Sequence, residues 1–390
     1  MNAVPILDTI RRPATWNPRN EGGGEFDYID LSSVDKDEKR IKETSRISCS
    51  EAPSRARQIV ESGDVLVSTV RPNLNGVARV LPEHDGMTAS TGFCVLRPDP
   101  SKLDSQYLLH WVKTPAFIGE IVKDATGANY PAVSDGKVKS ALIPLPPLSE
   151  QKRIAAILDA ADELRTKRRE SLAQLDTLLQ STFLDLFGDP ATNPKEWDEK
   201  PLSEVVRPGT IVTYGIVQAG DEFPDGVPYI RTGDIVDGEI VEDGLRHTNP
   251  SIAGKFERSR VDTGDIVMSI RATVGTTAVV PPSLDGANLT QGTARISPGP
   301  NAQLPFLLHY LRSHGAQRWI QRQIKGATFK EITLGRLREL PVLLPPVALQ
   351  KQFGEIVAQI ENLRSLERNQ LREFDTLFVS LQSRAFRGEL

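Results

Sequence analysis

The chain has 390 residues, 39% of them hydrophobic and 25% charged, which is too long for one ordinary compact domain and long enough for two with separate cores. No apolar run approaches the roughly 20 residues of a membrane span, and Cys49 and Cys94 lack the spacing of a disulfide framework or metal site. A formal net charge of -4 argues against a DNA binder that acts alone, which would carry a basic excess, unless basic reading faces coexist with acidic partner-facing surfaces.

Taken in chain order, the N-terminus MNAVPILDTIRRP has no apolar core of a secretory kind, so a cytoplasmic protein is expected. Short strands then follow, rich in β-branched residues and bounded by Gly, Pro and Asp, through FDYIDLSSVD from Phe26 and GDVLVSTVRP from Gly63. A helical stretch around YLLHWV from Tyr107 leads to TGANY at Thr126, and a double proline opens a long helix in PLPPLSEQKRIAAIL from Pro144. Gly188 and Pro190 end that helix.

The same order then recurs. VPYIRTGDIVDG from Val227 matches the Phe26 segment, GDIVMSIRA from Gly264 matches the Gly63 segment, and Ser269 falls on Ser68. FLLHYL from Phe306, GATFKEIT from Gly326 and VLLPPVALQKQFGEIV from Val342 complete the second copy, and the two long helices share LDTLL at Leu175 and FDTLF at Phe374. A repeat of about 200 residues is a duplicated domain rather than a solenoid. The expected division is 1–147, a mainly β domain; 148–188, a helix; 189–346, a second mainly β domain; and 347–390, a second helix. The copies differ at their start: EWDEKPLSEVV opens the second at Glu196, whereas the first opens on VPILDTIRRPATW. That leaves open a chain beginning within its first strand or a differently built edge.

In the first helix Ile154, Ile157, Ala161, Leu164, Arg168, Leu172, Leu175, Leu179 and Leu186 recur at spacings of three and four. In the second, Phe353, Ile356, Ile360, Leu363, Glu367, Leu371, Phe374, Leu377 and Leu381 do the same. Such a pattern predicts a coiled-coil seam, and about forty residues at about 1.5 Å each make a spacer of roughly 55 Å. The fold class is therefore α+β: two mainly β domains in pseudo-twofold arrangement, separated by two long antiparallel coiled-coil helices. Arg168 and Glu367 interrupt the seams near their centres, so they are candidates for a register-setting pair. His110 and His309 match each other and read as packing residues, since neither has a second ligand nearby in sequence.

Catalytic signals are missing. There is no GxxxxGK[ST] loop and no dinucleotide turn, and Asn193-Pro194-Lys195 and Asn249-Pro250-Ser251 lack the second proline and the aromatic of an amino-methyltransferase motif. Asp198-Glu199-Lys200 is a solvated charge cluster rather than a nuclease centre.

A strand-rich domain with GDVLVSTVRP, a double proline leading into SEQKRIAAILDAAD, a helix ending in FLDLFGDP, and then the whole pattern again resembles the DNA-specificity subunit of Type I restriction-modification systems over essentially the full chain. The resemblance implies two target recognition domains, each reading one half of a bipartite double-stranded DNA site, with the helices fixing the gap. It implies a non-catalytic chain that directs adenine methyltransferase subunits, expected as two copies, and restriction-translocation subunits. No cofactor is expected in this chain; S-adenosylmethionine, ATP and Mg belong to the partners, and no membrane is involved. Lys152, Arg153, Arg168 and Arg169 mix with Asp159, Asp162, Glu163 and Glu170 on the first helix, the pattern of a protein-docking surface.

Base reading needs side chains on loops, and arginine and asparagine can grip guanine and adenine in a bidentate way. In the first copy the candidates are Ser54, Arg55 and Arg57 after Pro53, and Arg71, Asn73 and Asn75 in the turn after the Gly63 strand. The matching turn of the second copy carries Arg271 and Thr273. Tyr28, Arg231 and Thr232 are assigned to matched early loops, and Asn129, Tyr130 and Lys330 to matched late loops. Two other classes stay open on sequence: a stand-alone DNA-binding regulator, and a scaffold whose β domains bind protein.

Overall fold

The computed structural model describes residues 2–20, 23–123, 125, 131–326 and 330–390. The chain forms two compact units, Met1–Arg169 with Asn369–Leu390, and Glu170–Arg368. Each unit is thus one β-rich copy together with half of each long helix.

In the first unit the strands of the two main sheets are β1 (Ile10–Arg11), β2 (Glu25–Ile29), β3 (Ser45–Ser48), β4 (Ala56–Ile59), β5 (Val65–Ser68), β6 (Val77–Arg79), β7 (Thr88–Ser90) and β8 (Phe93–Pro98). They form two four-stranded sheets, β1-β8-β5-β6 and β3-β2-β7-β4, and only β2 with β7 is a parallel pair. All four residues of β5 are buried, as a strand covered on both faces must be. Leu66 points into the core between the sheets with Ile29, Ala78 and Val95. Val65 and Val67 point the other way, against Tyr107, Leu108 and Val112 of α1 (Ser105–Val112) and Ile154 and Leu158 of the long helix α2 (Leu148–Phe187). Each such fully buried aliphatic contributes about 1.5–3 kcal/mol.

The second unit repeats this plan. The strands of its two main sheets are β9 (Thr213–Tyr214), β10 (Val227–Ile230), β11 (Arg246–Thr248), β12 (Ile266–Ser269), β13 (Thr277–Val279), β14 (Asn288–Leu289) and β15 (Thr293–Ile296). They pair as β9-β15-β12-β13 and β11-β10-β14, and β10 with β14 is again parallel. Val267 faces the core between sheets, whereas Ile266 and Met268 face α3 (Leu304–Arg312), with Phe353 and Ile360 of the second long helix α4 (Val347–Arg387) in the same core. The dissimilar openings of the two copies build the same edge: Ala3–Pro5 pairs antiparallel with Leu142–Pro144, and Glu199–Pro201 with Pro341–Leu343.

Both long helices start with a glutamine that fastens them to the copy before. Gln151 accepts from the Asp104 amide at 2.8 Å and donates to the Lys102 and Pro146 carbonyls. Gln350 accepts from the Gln303 amide at 2.8 Å and donates to Asn301 and Pro345. Gly188, at φ 81, caps the end of α2. Within each unit the helix halves run antiparallel: Arg153 reaches the Leu390 carbonyl and Arg165 reaches Asp375 in one, while Asp176 meets Arg364 and Phe183 meets Phe353 in the other.

The seam differs from the expected one. Leu164 and Leu363, which occupy matching positions, are exposed, as is Leu377, while Leu158, outside the expected repeat, is fully buried. The reason is that the first turns of each helix pack on a sheet and α1 or α3 as well as on the other helix. That widens the apolar stripe there and leaves the remainder narrower than a strict heptad.

Candidate nucleic-acid interface

The same loop architecture is built twice at the end of the central strand of each copy. Ser68, closing β5, donates its hydroxyl to the Val70 carbonyl at 2.8 Å, and Ser269, closing β12, donates to the Arg271 carbonyl at 2.7 Å. Their amides donate to Gly76 and Thr276, both at 2.8 Å. The chain then enters a left-handed residue, Arg71 at φ 51 and Ala272 at φ 57. Neither is glycine, so each costs about 1–3 kcal/mol that the surroundings must offset.

The offset comes from a second loop. The Arg71 amide donates to the Pro131 carbonyl at 2.7 Å and the Ala272 amide to the Lys330 carbonyl at 3.0 Å. Two residues on, Val133 donates to Thr69 at 2.9 Å and Ile332 to Ile270 at 3.0 Å. From the other side the Thr69 and Ile270 amides reach Gly92 at 2.9 Å and Gly292 at 2.8 Å. Three separate segments of each copy therefore converge on one turn.

This match sharpens the repeat. Arg71 corresponds to Ala272, and Arg271 to Val70, one residue earlier. The two arginines thus leave the turn from different positions.

The other candidates are distributed unevenly. Asn73 is exposed at the tip of the first turn. Asn75, at φ 47, donates its amide to the Lys113 carbonyl at 3.3 Å, while its own carbonyl accepts from Lys39 Nζ at 2.6 Å. Ser54 and Arg55 are exposed, and Arg57 is half-buried in β4 with its guanidinium on the Ala56 carbonyl at 2.7 Å. In the second copy Arg271 is exposed and pairs with Glu331 at 3.2 Å, which braces the two loops against each other. Thr273 is exposed and donates to Ser269 Oγ at 3.2 Å, and Lys330 is exposed. Arg231 grips Asp234 through two bonds, at 3.0 and 2.7 Å, which holds its guanidinium still more firmly charged. Thr232 is half-buried. Asn129 and Tyr130 lie outside the described residues.

Tyr28 requires correction. It lies not on a loop but within β2, 5% exposed, in a cluster with Phe26, Cys49, Ala52 and Ala56. The alternation of Phe26-Asp27-Tyr28 puts both rings on one face, with centroids 6.2 Å apart.

A family model described as the Type I restriction modification DNA specificity domain matches residues 14–175 and again 194–374. The chain belongs to that family. Its two family segments each contain one of the stitched turns. The Type I specificity subunit of EcoBI from Escherichia coli is 28% identical over 325 residues, covering 76% of this chain and 68% of its own length. A putative Type I MjaX specificity subunit from Methanocaldococcus jannaschii is 25% identical over 346 residues, covering 84% and 78%. A chain from a solved structure on complex assembly and conformational transition of the type I R-M system superposes with a TM-score of 0.64 at 26% identity, covering 100% of this chain and 98% of that one.

Within this specificity-subunit fold, sequence reasoning missed two groups. Counting back from Gly264 as Ser54, Arg55 and Arg57 count back from Gly63 gives Lys255, Phe256 and Arg258. Lys255 and Arg258 are exposed and make no ion pair among the described residues. Their segment is pinned by the Ser259 hydroxyl, 2.7 Å from Asn288 Oδ1. The repeat itself carried that signal.

The second group explains the Gly-Asp of both motifs. Asp64 and Asp265 are buried carboxylates that hold the entry to the central strand. Asp64 takes a two-pronged bond from Arg97 at 2.9 Å on each oxygen, and Asp265 takes Arg295 and Arg207, each at 2.6 Å. Arg97 and Arg295 stand two residues apart in the aligned strands, so the pairing is invisible to a position-by-position comparison.

His110 has an acid beside it after all. It is fully buried with Nε2 2.7 Å from Asp159 Oδ1 of α2, a residue 49 positions away. Among the described residues no group of three His, Cys, Asp or Glu side chains is placed to hold a metal, and no helix is long and apolar enough to cross a membrane.

Proposed function

We propose that this chain reads a bipartite double-stranded DNA site, one half through each β-rich copy, and directs adenine methylation and restriction by partner subunits without catalysing either step. The observation that carries this reading is the duplicated turn, where three segments brace a strained left-handed residue in the same way in both copies. Rigidly held loops of this kind are where recognition side chains sit.

The base-reading set is Arg71 and Asn73 in the first copy and Arg271, Thr273 and Lys330 in the second, with Ser54, Arg55, Arg57, Lys255 and Arg258 as phosphate contacts. Asn75, Arg231 and Thr232, which also hold their loops in shape, and Asn129 and Tyr130 are further candidates for contact with DNA. The functional division follows residues 1–147, 148–188, 189–346 and 347–390, and Arg168 and Glu367 form the central pair of the helices. Arg168 is half-buried with its guanidinium 5.9 Å from the Phe374 ring centroid.

Leucines exposed at matching positions of the two helices, Leu164 with Leu363 and Leu178 with Leu377, suit docking of two methyltransferase copies. S-adenosylmethionine, ATP and Mg reside on those partners, and the complex acts in the cytoplasm. With a net charge of -4, the chain alone binds DNA weakly, and its partners supply much of the phosphate grip. Adenine-methylation mapping of a host with and without this chain tests the reading. It predicts a two-part motif that vanishes with the chain; a contiguous motif, or none that depends on the chain, would overturn it.

A further inference from the structure

The two long helices carry a second duplicated arrangement, one that the apolar seam does not explain. In the first unit Lys113, just past the end of α1, is 3.5 Å from Asp162 of α2. Asp162 accepts from Arg165 at 2.8 Å, and Arg165 also donates across to Asp375 of α4 at 2.7 Å. The Arg165 guanidinium lies 4.4 Å from the Phe378 ring centroid, and Arg169 adds a longer contact to Asp375 at 3.4 Å.

In the second unit the arginine bridge recurs with the helices exchanged, and its link to the preceding helix is built differently. Arg312 ends α3 and donates to the Gly238 carbonyl, beside Glu239, which pairs with Arg368 of α4 at 2.9 Å. Arg364 of α4 bonds Glu361 on its own helix and crosses to Asp176 of α2. Asp162, Arg165 and Asp375 thus correspond to Glu361, Arg364 and Asp176, the two aspartates being those of LDTLL and FDTLF.

The arrangement reaches the turns as well. Lys113 offers its carbonyl to Asn75 of the first turn. Arg312 donates to the Gly238 carbonyl at 3.0 Å and to Thr277 Oγ1 at 3.0 Å, in the strand that leaves the second turn. Chemistry differs between the copies while the connection is kept, which points to a role in placement rather than in one particular contact.

The geometry points to Arg165–Asp375 and Arg364–Asp176 as the pairs that set the axial register of α2 on α4, with Lys113 and Arg312 relaying that register to the reading turns. They are therefore specificity-determining residues for the gap between half-sites. Apolar seams alone tolerate slips of a turn, because one leucine replaces another; a forked arginine bridging carboxylates on two helices does not. Both helices run through both units, so one slip must break both pairs. A slip of one turn is about 5.4 Å, against about 3.4 Å per base pair, so loss of register shifts the gap by one or two base pairs.

This inference rests on the bipartite reading, and the test separates the two. Asp176→Asn/Asp375→Asn in the full chain, assembled with its partners, keeps shape and removes the charge. The expected result is unchanged half-sequences, with methylation at gaps one or two base pairs off rising about tenfold relative to the wild-type gap, within the range of coupling between contacting charges. A gap distribution as narrow as that of wild type would overturn it, as would loss at all gaps alike.

Register is also read without DNA, from the spin-label distance between Leu164→Cys on α2 and Leu377→Cys on α4, both exposed and both in the first unit. One sharp distance in the parent that broadens or splits in the Asn variant supports the inference, and an unchanged distance contradicts it, whatever the methylome shows. Should the Asn variant fail to fold, Arg165→Lys/Arg364→Lys, which keeps charge and loses the fork, is read by the same two criteria. A wild-type chain that directs no two-part methylation would defeat the functional reading and leave the spin-label result to judge the register.

Discussion

The turn after β5 and the turn after β12 share their bracing hydrogen bonds and differ in side chains and, by one residue, in length. Both bend through a left-handed residue and both are stitched to a late loop, but the first places arginine at the bend and the second places alanine, with its arginine one residue earlier and leaning on Glu331. A duplicated scaffold can hold its hydrogen bonds fixed while the residues that project from it change. The strained backbone is thus common to both copies, and the projecting side chain is particular to each.

The largest expected effect lies beneath the turns. Removing one member of a buried ion pair leaves an uncompensated charge, at a cost of about 3–5 kcal/mol. Asp265 serves two arginines and Asp64 mainly one, so Asp265→Ala should destabilise the full chain by about that amount in denaturant unfolding, and more than Asp64→Ala. Equal small losses for both would remove these carboxylates as anchors.

Next comes the comparison at the bend itself. Glycine adopts positive φ freely, so Ala272→Gly should raise stability by about 1 kcal/mol and leave methylation unchanged. Arg71→Gly should also be tolerated by the fold yet reduce methylation about tenfold or more, since a bidentate base contact is worth about 1–3 kcal/mol. If Ala272→Gly proved the more damaging to methylation, the division between scaffold and reader would fail.

The smallest effect is a pH dependence carried by the second copy. Burial, with Arg312 beside it, pushes His309 down from 6.5 to about 4. The unfolded chain therefore takes up the proton first as pH falls, and stability present above about 6.5 is lost on the way down through about 4. His309→Leu should flatten that acid limb in a thermal-melt series, and an unaltered limb would show that His309 does not contribute to it.

Much of this was legible in sequence because the protein is written twice. Two matched strand segments, a double proline before each helix and Ser68 over Ser269 were enough for the architecture and the family. The finer site was less legible for physical reasons. Tyr28 looked like a loop residue because β2 is short and the acidic residues Asp27 and Asp30 flank it, yet its alternation with Phe26 buries it. The Asp64 and Asp265 anchors escaped notice because their arginines come from different strand positions. The exposed leucines at 164 and 363 looked like seam because a heptad pattern does not reveal where a helix also packs against a sheet.

The central claim is that each copy reads its own half of the site. Replacing residues 189–346 with the corresponding segment of another family member, followed by adenine-methylation mapping, tests it most directly. One half of the motif should change while the other half and the gap stay as they were. A change in both halves, or in neither, would contradict the account.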